Sequence, residues 1–129
     1  MSIEKEILSS SRVVAAVGLS PMPRSFRVAS YLMKNGYKII PVNPQAEKML
    51  GKTCYPDLGS IPEPVDVVDI FRRSEDVLSI VEEAIQIGAK AVWMQEGVVN
   101  EEAAARARFA GLQVVMDRCM KKEHEQLQN

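Results

Sequence analysis

The sequence is poor in the residues that most enzymes and metal sites use. It holds one histidine, His124, and two cysteines, Cys54 and Cys119, in 129 residues. A histidine metal site or a nucleophile–histidine–acid triad has little else to draw on. The cysteines lack metal-ligand spacing, and no Asp/Glu pair stands at a recognisable general acid/base spacing. Net charge is almost absent as well: sixteen Lys and Arg against seventeen Asp and Glu leave −1. That balance argues against a broad polyanion-binding surface, so nucleic acid is not an expected partner. No apolar run approaches the roughly 20 residues of a membrane-spanning helix, so no membrane partner is expected either. Two cysteines make no disulfide framework, and no secretory signal stands at the N-terminus, which leads to the expectation of a soluble, cytoplasmic protein. At 14.3 kDa, with 47% apolar and 26% charged residues, the chain is expected to form one globular domain over residues 1–129.

What is present is a regular alternation. Short β-branched runs stand at Val13 to Val17, Ile39 to Val42, Val65 to Phe71, Ala91 to Met94 and Leu112 to Met116. Continuous apolar runs of this length mark strands buried on both faces, as in a parallel sheet. Between them Phe26 to Lys34, Ser74 to Ile87 and Glu101 to Ala110 carry helical spacing. Three of these segments end on one signature, Asn35-Gly36, Ile87-Gly88 and Ala110-Gly111, each leading into an apolar run. Glycine closes a helix in the left-handed conformation and releases the chain into the next strand. Ser74 and Asn100, each followed by two acidic residues, read as N-caps. The prolines from Pro41 to Pro64 surround a short helical turn near Gln45 to Leu50 and an irregular third unit containing Cys54. Short helices are expected at Ser2 to Ser9 and Lys121 to Leu127. The pattern predicts an α/β fold: a doubly wound, mostly parallel sheet with strand order 3-2-1-4-5-6. Ligands in such sheets bind beyond the carboxyl ends of the strands, where the chain changes direction.

Four loops therefore matter. The first runs from Gly18 through Ser20, Arg24, Ser25 and Arg27. It reads either as a tight turn whose serine caps a helix, or as an anion site built from a bare backbone, helix N–H groups, hydroxyls and arginines. It lacks the G-x-G-x-x-G spacing and any Walker lysine, and strand two ends on Asn43-Pro44 without the acid an NAD ribose needs. The fourth strand ends Ile70-Phe71-Arg72-Arg73. Paired arginines there suit a phosphate clamp and Phe71 a flat ring, although such arginines are also commonly solvated. After the fifth strand, Trp93 reads as core, while Gln95 and Gly97 read as crevice lining. Cys119, beside Arg118 and Lys121, is either a reactive thiol or a buried inert one. His124 lies in a charged stretch and reads as solvated or structural.

These residues resemble a family, the small single-domain CoA-binding proteins, which are similar in fold to the N-terminal domain of the succinyl-CoA synthetase alpha subunit. The matching segments are Val-Gly-Leu-Ser at 17–20, Pro-Arg-Ser-Phe-Arg-Val at 23–28, Gly-Tyr-Lys-Ile-Ile-Pro-Val-Asn-Pro at 36–44, Gly-Lys-Thr-Cys-Tyr-Pro at 51–56, Val-Asp-Val-Val-Asp-Ile-Phe-Arg-Arg at 65–73, Val-Trp-Met-Gln at 92–95 and Asp-Arg-Cys-Met-Lys-Lys-Glu-His at 117–124. The resemblance implies a three-layer αβα, Rossmann-like domain that binds CoA or acyl-CoA across strands one, two and four. By position, Gly18, Ser20 and Ser25 would meet the pyrophosphate, and Val42, Asn43 and Pro44 would flank the nucleotide. Ile70, Phe71 and Arg72 would form the opposite wall, with Arg73 or Arg24 near the ribose 3′-phosphate and Gln95 lining the crevice. The synthetase subunit also has a second domain with a phosphorylated histidine, a partner subunit and a glycine-richer first loop, none of which this sequence matches. The expectation is therefore a non-catalytic protein whose partner is a CoA-type nucleotide, with no protein partner identified. Two alternatives stay open: an enzyme, either an acyl or thiol transferase using Cys119 or an oxidoreductase with atypical NAD(P) recognition, and a regulatory module that signals through its C-terminal helix.

Overall fold

The computed structural model describes residues 2–19 and 23–128. In chain order the elements are α1 (Ile3–Ser10), β1 (Val13–Val17), α2 (Pro23–Lys34), β2 (Lys38–Val42), β3 (Lys48–Met49), β4 (Lys52–Thr53), β5 (Val67–Ile70), α3 (Val77–Gln86), β6 (Ala91–Met94), α4 (Glu101–Phe109), β7 (Gln113–Val115) and α5 (Met120–Gln128). Short 3-10 turns stand at Leu58–Ser60 and Ser74–Asp76. Five strands form a parallel sheet in the order β2-β1-β5-β6-β7. The chain leaves β1 for β2 on one side and returns to β5 on the other, which places the switch point at β1.

The apolar runs become strands because both faces of the sheet are covered. Val14, Ala16, Val67, Trp93 and Val115 pack with Ile7 and Leu8 of α1, Val28, Ala29 and Leu32 of α2, and Met120 of α5. The alternate residues Ala15, Val17, Val68, Ile70, Val92, Met94 and Val114 pack with Val77, Ile80, Val81 and Ala84 of α3 and the Ala103, Ala104 and Ala107 stripe of α4. Period-two alternation thus sorts the strands onto two cores and makes three layers. The expected helix-ending glycines Gly36, Gly88 and Gly111 have φ of 94°, 73° and 94°. Among the described residues no helix is long and apolar enough to cross a membrane.

Three expectations change. The third strand of the 3-2-1-4-5-6 order is reduced to one parallel bridge, Val42 to Tyr55. Tyr55 donates its N–H to the Pro41 carbonyl at 3.0 Å and accepts from the Asn43 N–H at 2.9 Å. The next rung would need a Pro41 N–H, which proline lacks, so the ladder stops. The helical turn expected near Gln45 to Leu50 is instead a turn followed by the antiparallel β3–β4 hairpin. Leu50 and Gly51, at φ 55° and 70°, make the two-residue connection with both residues left-handed. Asn100 caps α4 through the Ala103 N–H at 2.9 Å, as expected. Ser74 does not cap α3: its hydroxyl accepts from the Val99 N–H at 3.0 Å and ties two loops together.

Candidate functional site

The strand register sets the site. Val17 pairs with Val42 on one side and with Ile70 on the other, and Ile70 pairs with Met94. One row of strand ends therefore brings the loops beginning at Gly18, Asn43, Phe71 and Gln95 side by side. Gly18 donates its N–H to the Val42 carbonyl at 2.9 Å, and Phe71 donates to the Val17 carbonyl at 2.9 Å. Asn43 accepts the Gln45 N–H at 2.9 Å and donates to the Leu19 carbonyl at 3.2 Å, locking the second loop to the first. Asparagine is the residue type that closes such a side-chain turn while keeping an amide donor free for another loop.

Two cavities meet over this row. One of about 430 Å³ is lined by Val17, Gly18, Val42, Asn43 and Pro44 on one side and Arg72, Asp76, Ile80 and Glu83 on the other. The second, about 320 Å³, is lined by Gly18, Arg24, Ser25, Val28, Phe71, Arg72, Arg73, Gln95, Glu96 and Val98. Gly18 and Arg72 belong to both, so the crevice is elongated and pinched at that pair. Gly18 has φ 81°, and a Cβ built there would fall on Cγ and Cδ of Arg72, within 3.0 Å of the Phe71 carbonyl. Only glycine permits both this backbone conformation and the approach of the Arg72 stem.

Charge divides the crevice. The smaller cavity gathers Arg24, Arg72 and Arg73 against Glu96 alone, whereas Asp57, Asp76 and Glu83 line the larger one with Arg72. The near-neutral total thus hides a local cationic cluster, as the loop sequences suggested. Each arginine already leans on a carboxylate: Arg72 on Asp76 at 3.2 Å, Arg73 on Glu75 at 3.1 Å and Asp76 at 3.5 Å, Arg24 on Glu96 at 3.2 Å. Arg24, Arg72 and Arg73 are 76%, 50% and 75% exposed, so these pairs are weak and readily exchanged for a ligand anion. The Lys122 ammonium, 3.0 Å from Glu96, holds that carboxyl below its ordinary value.

Sequence reasoning did not single out Asp69. It lies on β5, 1% exposed, on the sheet face shared by Val67 and Trp93. Burial pushes its carboxyl up to about 7, against the opposing hydrogen bond from Gln95. Gln95 Nε2 donates to Asp69 Oδ1 at 2.6 Å. The available signal was an acid inside an otherwise apolar strand, since a two-face-buried strand carries one only where a partner is built for it. The loop above is fixed by Gly97, whose N–H donates to Asp117 Oδ1 at 2.7 Å. Glu96 and the acidic wall of the larger cavity were likewise not anticipated.

Of the residues singled out by sequence, Gly18, Arg24, Ser25, Val42, Asn43, Pro44, Phe71, Arg72, Arg73 and Gln95 line the crevice. Ile70 does not: its side chain is fully buried in the core on the α3 side, and it touches the row only through its carbonyl, which accepts the Gln95 N–H at 3.4 Å. Ser20 lies outside the described residues. Arg27 lines a neighbouring concavity with Arg24, Glu96, Cys119, Lys121 and Lys122. Trp93 is core, its Nε1 donating to the Arg118 carbonyl at 2.8 Å. His124 is buried and structural, with Nδ1 2.8 Å from the Tyr31 hydroxyl and its ring edge-on to Tyr37. Burial raises the Cys54 thiol above its ordinary value, and its Sγ faces the Asn43 carbonyl at 3.6 Å.

A doubly wound sheet with an elongated, arginine-edged crevice at its switch point defines an α/β domain of the type that holds extended, charged small molecules. The chain belongs to the CoA binding domain family, which it matches over residues 12–125. It is 42% identical to the Bacillus subtilis protein YneT over 122 residues, covering 93% of this chain and 90% of that one. It is 31% identical to acetate–CoA ligase (ADP-forming) II of Archaeoglobus fulgidus over 105 residues, 80% of this chain but 15% of that enzyme. Among solved structures, a hypothetical protein from Pyrococcus horikoshii OT3 superposes with a TM-score of 0.95 at 41% identity, covering 100% of this chain and 94% of the other. The dinucleotide-forming acetyl-coenzyme A synthetase 1 of Ca. Korarchaeum cryptofilum matches with a TM-score of 0.74 at 28% identity over 84% of this chain and 26% of that one. The chain is thus homologous to one domain of these larger synthetases.

Proposed function

We propose that this chain is a single-domain, cytoplasmic nucleotide-binding protein that holds CoA or acyl-CoA without transforming it. The observation that carries the reading is the Gly18–Arg72 pinch, where bare backbone meets the stem of an arginine at the centre of an elongated crevice. The pyrophosphate lies there, against Gly18, Ser25 and the start of α2. Val42, Asn43 and Pro44 flank the adenosine in the larger cavity, with Arg72 opposite. The 3′-phosphate meets Arg73, whose guanidinium already leans on Asp76 at the edge of that cavity. Arg24, across the smaller cavity, is the alternative. The pantetheine arm runs past Phe71, Val28 and Val98, whose apolar surfaces suit its methylene chain.

The structural engagement of His124 and Cys54 favours binding over catalysis, because neither faces the crevice. Native mass spectrometry of freshly purified protein tests the reading. An added mass matching CoA or an acyl-CoA, lost on denaturation, is the expected result; a different retained nucleotide would overturn it.

A further inference from the structure

The crevice floor contains a buried polar pair that the binding arrangement above does not use. Asp69 is 1% exposed and Gln95 7% exposed, so both side chains are almost wholly inside the protein. An amide presents a donor at one end and an acceptor at the other, and which end faces a site is decided by its fixed neighbour. Here that neighbour is Asp69: Gln95 Nε2 points to its Oδ1 at 2.6 Å, and above about pH 7, where Asp69 is ionised, both its oxygens can only accept. Gln95 also lines the smaller cavity, between the apolar Val28, Phe71 and Val98. With Nε2 committed to Asp69, the acceptor end of the Gln95 amide is Oε1.

We infer that Asp69 is a positioning residue: by accepting from Nε2 it turns Gln95 Oε1 toward the smaller cavity, giving its apolar walls a fixed hydrogen-bond acceptor and selecting a ligand segment that carries an N–H donor at that depth. The inference rests on the CoA reading, in which that donor is an amide N–H of the pantetheine arm. A segment without an N–H there leaves a desolvated acceptor unpaired, a penalty that translates to about tenfold or more in affinity. The four charged side chains around the cavity, Arg24, Arg72, Arg73 and Glu96, lie at its edge, and the Gln95 amide and the Ser25 hydroxyl are the polar groups between its apolar walls.

The test uses, above about pH 8 so that Asp69 is ionised, the full chain, CoA, and the CoA analogue methylated at both pantetheine amide nitrogens. The wild type is expected to favour CoA by about tenfold or more. Asp69→Asn leaves two amides free to face either way, so the preference is expected to fall to within about threefold. Exchanging the two roles, in the double variant Asp69→Asn with Gln95→Glu, restores a donor below and an acceptor above, and is expected to restore the preference. A folded Asp69→Asn variant that keeps the wild-type preference overturns the inference, as does a wild type that binds both ligands equally. The ligand-free protein supplies a second measurement. The Gln95 side-chain amide gives two proton resonances whatever its partner, because rotation about its C–N bond is slow. The proton bonded to Asp69 is expected to lie downfield, to exchange slowly with solvent and to shift as Asp69 titrates, and these features are expected to be lost in Asp69→Asn. Gln95 amide protons that exchange with solvent as fast as those of exposed glutamines, or that do not respond to Asp69 titration, overturn the positioning claim. Failure of the wild type to bind CoA at all is a failure of the binding reading, and the amide resonances then decide the positioning claim on their own.

Discussion

Gly18 and Arg72 occupy each other's space: a side chain at 18 would overlap the aliphatic stem of Arg72. The contact couples the first and fourth strand ends, because Arg72 in turn holds Asp76 at 3.2 Å at the start of α3. Gly18→Ala is expected to cost about 1–2 kcal/mol, since φ of 81° is strained for alanine and the Arg72 stem must move. Urea denaturation measures the cost. Calorimetry on the same variant should show weaker CoA binding, whereas Gly59→Ala, whose Cβ would sit 3.7 Å from Asp57 Oδ1, should leave binding unchanged.

The arginines are expected to separate by ligand. Arg72→Ala should weaken CoA and 3′-dephospho-CoA alike, by about tenfold, because Arg72 serves the pyrophosphate. Arg73→Ala should weaken CoA and leave the dephospho form within about twofold. Parallel titrations of both ligands read the difference directly.

Asp69 sets a pH dependence of stability. Its carboxyl titrates near 7 when folded, against an ordinary 3.8, so the folded state binds the proton more tightly than the unfolded chain. Stability therefore falls as pH rises between those two values and levels off above about 7. Asp69→Asn removes that slope. Asp66 acts in the opposite sense: burial pushes its carboxyl up, but the N–H groups of Val13 and Arg12 outweigh it and hold the value below the ordinary one. The difference between wild type and Asp69→Asn across the pH series isolates the Asp69 contribution from this background.

Cys119 is buried and lines the concavity beside the crevice, not the crevice itself. Cys119→Ser is expected to leave CoA affinity within about twofold of wild type, as the mutation exchanges one small buried side chain for another. An acyl group that passes from acyl-CoA to the wild-type protein as a thioester, with release of free CoA, and that is absent from this variant would instead favour the thiol chemistry.

The fold was legible because its signals are local. Runs such as Val13 to Val17 show two-faced burial, and Gly36, Gly88 and Gly111 mark three helix ends without reference to any distant residue. Strand order followed from the handedness of crossovers, and it failed only where the missing N–H of Pro41 cut the third strand to one bridge. The loops of the site were legible for the same reason, since a switch point names them before any motif does. Ile70 is fully buried beside Met94, whereas its register partners Val17 and Val42, on the same face of the sheet, reach the larger cavity; which strand end is left uncovered depends on the packing above it and is not written in the strand pattern. Asp69 escaped notice because its role depends on Gln95, 26 positions away, and such a pair exists only once β5 and β6 lie side by side.

Calorimetric titration of the purified chain with CoA, alongside 3′-dephospho-CoA, tests the central claim most directly. The expected result is one site per chain, with CoA bound well below about millimolar and more tightly than the dephospho form by about tenfold. Binding of neither ligand below about millimolar would contradict it.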